Sequence, residues 1–195
     1  EGTKNLAQHY ENIQKYKVKP MIAINHFASD SKEEVAALIE WCKQKDYEVT
    51  FVDSFIKGSI GAVDFASKVK KLLEDDESEF QALYRLDQPI VDKINIIAQQ
   101  IYRAKGIKLT KRALERIEKI EKLGYSSLPI CIAKTPHSFS DDPKRLNTPK
   151  NFKITVRDAY LSAGAGFIVI LTGKVLTMPG LPEIPAAVRM EESDY

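Results

Sequence analysis

The sequence predicts an α/β fold built from parallel βαβ units, followed by a helical and β C-terminal portion. Two observations carry the prediction. First, a short apolar run from Pro20 to Asn25 (PMIAIN) precedes a helical pattern, a second strand pattern from Glu48 to Asp53 (EVTFVD) and a second helical pattern. Strand, helix, strand, helix at this spacing implies crossover connections and parallel strands. Second, the chain has 195 residues of which 44% are hydrophobic, enough to bury a sizeable core and to exclude global disorder.

The elements follow in order. Lys4 to Tyr16 reads as a helix leading into the first strand. The apolar run Pro20 to Asn25 has the pattern of a strand buried on both faces. Asp30 or Ser31 caps the next helix, with Glu33 and Glu34 in its first turn and Val35, Leu38, Ile39 and Cys42 at helical spacing to about Lys45. After the strand at Glu48 to Asp53, Lys57 to Gly61 is a glycine turn and Val63 to Leu73 a further helix. The acidic stretch Leu73 to Glu79 is the candidate boundary, dividing a βαβα unit at 1–78 from a second unit at 79–195. Two helices follow, Asp87 to Ala104 and Thr110 to Leu123. Thr110 is the cap of the second and Gly124 its stop. Strands are expected at Leu128 to Ala133, Phe152 to Arg157 and Gly164 to Thr172, with a polar loop at Pro136 to Lys150. The tail from Met178 to Pro185 is too proline-rich for regular structure.

Charge and motif content exclude several functions. Lys and Arg total 29 and Asp and Glu 27, a net charge of +2 that argues against a nucleic-acid binder. No run of about 18 apolar residues offers a membrane span. The 2 cysteines make neither a disulfide framework nor a structural zinc site, and fit a reducing, cytoplasmic setting. There is no G-x-x-x-x-G-K-[ST] phosphate loop, no G-x-G-x-x-G after a strand and no H-E-x-x-H. His9, His26 and His137 lack metal-ligand spacing, so no metal site is expected, and no catalytic centre announces itself.

The loops at the strand ends remain. In parallel α/β sheets ligands bind beyond the carboxyl ends of the strands. Asn25 to Asp30 follows the first strand, and Phe27 either stacks on a planar ring or packs under the next helix. Phe51 to Gly61 follows the second strand, and Phe55 is the counterpart of Phe27 one βα unit later, on the same sheet edge. Gly58 and Gly61 permit close backbone approach. In Ala133 to Pro143, Lys134, Thr135 and Ser140 either hold a phosphate or carboxylate or belong to a solvated loop capped by Asp141 or Asp142. The small residues of Ser162 to Phe167 allow tight strand packing and read as structural. The Lys108 to Lys122 helix, interleaved with Glu115, Glu118 and Glu121, reads as a solvated face.

Six stretches make the chain resemble the C-terminal part of the formate–tetrahydrofolate ligases. They are Asn5 to Ile13 (NLAQHYENI), Met21 to Asp30 (MIAINHFASD), Tyr125 to Pro143 (YSSLPICIAKTPHSFSDDP), Phe152 to Arg157 (FKITVR), Ser162 to Phe167 (SAGAGF) and Leu171 to Ala187 (LTGKVLTMPGLPEIPAA). The resemblance implies a sheet like that of phosphate-loop NTPases, with the phosphate-loop half absent. It implies an enzyme that uses ATP with Mg to phosphorylate formate, after which the N10 amine of tetrahydrofolate attacks the formyl phosphate to give 10-formyltetrahydrofolate. A homotetramer, a response to monovalent cations and a cytoplasmic location go with it. It implies that Phe27 and Phe55 form the stacking platform for the pterin ring and that Phe51 lines the same pocket. Asn25 and Ala28 join the folate side. Lys134, Thr135 and Ser140 are the candidate nucleotide or phosphate side, and no catalytic residue is assigned within this chain.

The departures from the family pattern are local. His26 stands for an Arg, Ala28 for a Pro, Phe55 for a Trp, and Lys57 to Ala62 (KGSIGA) for Lys-Gly-Gly-Glu-Gly-Gly, so Ile60 replaces an acid. The chain starts at Glu1 without Met, and the family's phosphate loop has no counterpart in it. The expectation is a fragment, inactive by itself, that needs the N-terminal portion of the enzyme. The alternative expectation is a non-catalytic folate-binding or assembly paralogue.

Overall fold

The computed structural model describes residues 2–75, 78–173 and 183–184. It is a mixed α/β chain with parallel strand pairs, in agreement with the predicted class. It separates into two compact units, Glu1–Arg85 and Leu86–Tyr195.

In the first unit, α1 (Thr3–Gln14) precedes β1 (Ile22–Asn25), α2 (Lys32–Gln44), β2 (Val49–Val52), a short α3 (Ser54–Lys57), a 3-10 turn (Gly58–Ala62) and α4 (Val63–Asp75). β1 and β2 pair in parallel, with Ile22 opposite Val49 and Asn25 opposite Val52. Ser31 rather than Asp30 caps α2: its hydroxyl accepts the Glu34 N–H at 3.1 Å and donates to the Glu34 carboxylate at 2.9 Å. One face of the sheet is closed. Ile22 and Ile24 are buried with Tyr10 and Cys42, and Leu38, Ile39, Trp41, Val49 and Phe51 pack against them. Each such aliphatic side chain contributes about 1.5–3 kcal/mol on burial.

β1 is not buried on both faces as its apolar run implied. Ile22 and Ile24 are buried, whereas Ala23 and Asn25 between them are exposed. The sheet has two strands and α4 lies over β2, where Thr50 donates to Asp64 at 3.0 Å and Lys68 pairs with the same carboxylate at 2.8 Å.

In the second unit, α5 (Ile90–Gln100), β3 (Ile107–Leu109), α6 (Lys111–Lys122), β4 (Ile130–Ala133), β5 (Ile154–Ser162) and β6 (Phe167–Thr172) build a sheet of order β3-β5-β6-β4. β3 runs parallel to β5 and β4 to β6, while β5 and β6 are antiparallel, joined by a 3-10 turn at Ala163–Ala165. α5 starts later than expected, with Pro89 at its N-cap, and ends at Gln100 rather than at Ala104. β3 was not expected; β5 extends five residues beyond the predicted Arg157. Thr110 caps α6, accepting the Ala113 N–H at 3.2 Å, and Gly124 leaves it at φ +84°. Lys93 of α5 is fully buried; it donates to the carbonyls of Ser126 at 2.5 Å and Leu128 at 2.9 Å, fixing the approach to β4. The proline-rich tail lies almost wholly outside the described residues.

Candidate functional site

The carboxyl ends of β1 and β2 bring Phe27 and Phe55 together. Their ring centroids are 5.2 Å apart with planes at 52°, and both rings remain exposed, 43% for Phe27 and 70% for Phe55. Phe27 does not pack away under α2. Its backbone is fixed by a closed turn: the Phe27 N–H donates to the Asp30 carboxylate at 2.9 Å, and the Asp30 N–H returns to the Phe27 carbonyl at 2.9 Å. Two exposed aromatic faces on adjacent strand ends suit a flat apolar ring. A ring sandwiched between them needs about 7 Å, two contact distances of about 3.5 Å. As they stand, the two side chains cover each other.

Beneath them sits a charge cluster. Asp53, buried directly after β2, accepts His26 Nδ1 on Oδ1 at 2.9 Å and Lys57 Nζ on Oδ2 at 2.8 Å. The hydrogen bond from His26, then that from Lys57, hold the Asp53 carboxyl below its ordinary value. The Asp53 N–H donates to the Gly61 carbonyl at 3.0 Å, and its carbonyl accepts the Lys57 N–H at 2.9 Å. Gly61 is required here, since a Cβ would overlap the Asp53 carbonyl and come within 2.8 Å of the Ser54 nitrogen. The His26 ring leans on Phe51, with centroids 4.9 Å apart. Phe51 is half-buried against the core, and Asn25 and Ala28 are exposed.

The Lys134 loop, in the second unit, is arranged differently. The Lys134 ammonium donates to the carbonyls of Thr135 at 2.8 Å, Ser138, and Ser140 at 2.9 Å, and lies 5.2 Å from the Tyr102 ring centroid. Burial pushes its pKa down to about 8. Ser138 and Ser140 are buried, their hydroxyls 2.9 Å apart, and Ser140 also donates to the Asp142 carbonyl at 3.1 Å. The Thr135 hydroxyl accepts the His137 N–H at 3.3 Å. Asp141 accepts the Thr155 N–H at 2.8 Å, and Asp142 the Lys144 N–H at 3.0 Å. The polar groups of this segment are turned toward its own backbone.

The structure therefore brings Phe27 and Phe55 together at one sheet end, as the spacing of the strands anticipated, with Phe51 beside His26 and Asn25 at the end of β1. The bridge from Asp53 to His26 and Lys57 was missed. The available signal was an acid placed directly after a strand with a lysine four residues on.

Fold and site define an α/β protein with two exposed aromatic side chains in contact at the carboxyl ends of parallel strands. Its particular kind follows from comparison with known families: the model of the family "Formate–tetrahydrofolate ligase" matches residues 1–194, and the chain belongs to that family. A ligase-related role in one-carbon metabolism goes with the membership.

Proposed function

We propose that this chain supplies the folate-binding wall of a formate–tetrahydrofolate ligase. Phe27 and Phe55 receive the pterin ring, Phe51 backs them through His26, and Asn25 and Ala28 border the ring. The observation that carries this reading is the contact of two exposed aromatic side chains at neighbouring parallel strand ends, inside a region matched by the family.

ATP and formate are activated elsewhere in this reading. The sequence holds no phosphate loop, and Lys134 spends its donors on carbonyls, which does not support the nucleotide side first assigned to Lys134, Thr135 and Ser140. Among the described residues no three His, Cys, Asp or Glu side chains gather as a metal site, and no step is assigned to ATP or Mg here. The chain then acts with an N-terminal portion of the same enzyme, within a cytoplasmic homo-oligomer, and makes no 10-formyltetrahydrofolate by itself. What this wall contributes is alignment, holding the folate so that its amine meets an activated formyl group.

Calorimetric titration with 5-formyltetrahydrofolate tests the reading. Phe27→Ala is expected to weaken binding about tenfold, in the range of a lost aromatic contact. Equal affinities for wild type and Phe27→Ala remove the ring from the site.

A further inference from the structure

We propose that Asp53 is a positioning residue that sets the relation of Phe27 to Phe55, and so the ring-binding competence of the face they form. Its carboxylate reaches both aromatic loops. One oxygen holds His26, the residue directly before Phe27, at 2.9 Å. The other holds Lys57, two residues after Phe55, at 2.8 Å. Asp53 is buried while both aromatic rings are exposed, so the carboxylate acts from below without itself covering either ring. Its own backbone is held by Gly61 on one side and by the Lys57 N–H on the other, so the carboxylate has a rigid base. Charge-assisted bonds of this kind are roughly twice as strong as neutral ones. With one bond to each loop, the two aromatics are tied to a common point although 28 positions separate them in sequence.

The ligand side of this inference rests on the folate reading; the geometric side does not. Proton NMR of the full chain reads the geometry directly. Ring-to-ring cross-relaxation between Phe27 and Phe55 is expected in wild type and is expected to vanish in Asp53→Asn. His26→Ala and Lys57→Met, which each cut one arm and leave the buried backbone intact, are expected to weaken the signal separately. For affinity, 5-formyltetrahydrofolate is titrated into wild type, Asp53→Asn, Phe27→Ala and the double variant. Asp53→Asn is expected to lose about tenfold, and the double variant to bind no worse than Phe27→Ala, because one pathway is removed twice. Additive losses mean that Asp53 does not act through the ring and overturn the proposal. So does retention of the ring-to-ring signal in all three bridge variants. Unchanged affinity in Phe27→Ala with loss of the signal in Asp53→Asn overturns the folate reading alone.

Discussion

The strand-end loops of the first unit and the Lys134 loop of the second start from similar material: a β-strand, then Lys, Ser and an aromatic. They end in opposite arrangements. At β1 and β2 the Lys57 ammonium and the His26 ring are drawn down to a buried carboxylate, and the aromatics are left facing outward. At β4 the lysine is drawn in among backbone carbonyls, and Phe139 is buried with only 5% of its surface exposed. The difference teaches that residue type does not assign a loop to a ligand. What decides is where the donors are consumed: a side-chain anion can satisfy two donor side chains and leave the rest of the loop open, whereas a ring of carbonyls consumes all three N–H groups of an ammonium.

Four experiments break or sharpen this contrast. The largest effect is expected from Lys134→Met, which leaves several carbonyls without their donor and should cost the second unit about 3 kcal/mol in urea unfolding. The pH dependence has a definite sign. The unfolded chain holds this proton up to about the ordinary value of 10.5, while the folded chain releases it near about 8, so wild type should gain stability relative to Lys134→Met between those values. A stability gap of less than about 1 kcal/mol, below the cost of one unsatisfied buried group, would return the lysine to the set of candidate ligand-binding groups.

Gly61→Ala comes next. A methyl group forced against the Asp53 carbonyl should cost about 2 kcal/mol and lower the melting temperature of the first unit. Phe55→Trp probes the outward arrangement with little disturbance: stability should stay within about 0.5 kcal/mol because the side chain is exposed. Affinity for 5-formyltetrahydrofolate should rise severalfold from the larger stacking face. A weaker complex would show that Phe55 is not a stacking surface. The smallest effect is expected in acid. The Asp53 carboxyl is held below its ordinary 3.8, so its stabilising contribution is complete above that value and fades as pH falls through the lowered one. Acid titration of wild type against Asp53→Asn should show the gap between them closing only below about pH 4, near the unfolded carboxyl value.

Much of this was legible in the sequence. The helix from Ser31 was, because a cap followed by acids and a 3.6-residue apolar period leaves little alternative. Phe27 and Phe55 were legible as a pair because each stands two or three residues beyond a parallel strand. The covering of β1 was not: four apolar residues in a row look the same whether a second layer exists or not, and that is a property of the neighbours. β3 escaped because three residues, Ile107–Leu109, carry too little period to read, and they form a strand only by pairing with β5 far along the chain. The Asp53 bridge escaped for the same reason, its His26 partner lying 27 residues away. At Lys134 the residue was visible and its direction was not, since carbonyl groups carry no mark in a sequence.

The mutual contact of Phe27 and Phe55 has an energetic consequence for any guest. Each ring is the other's first ligand. An edge or face contact of this sort contributes about 0.5–1.5 kcal/mol beyond area burial, and a planar molecule inserted between the rings must displace it before its own stacking counts. That self-competition lowers apparent affinity by up to about tenfold, since about 1.4 kcal/mol is a decade. It also discriminates: a guest large enough to cover both rings recovers the loss, and a single small ring does not.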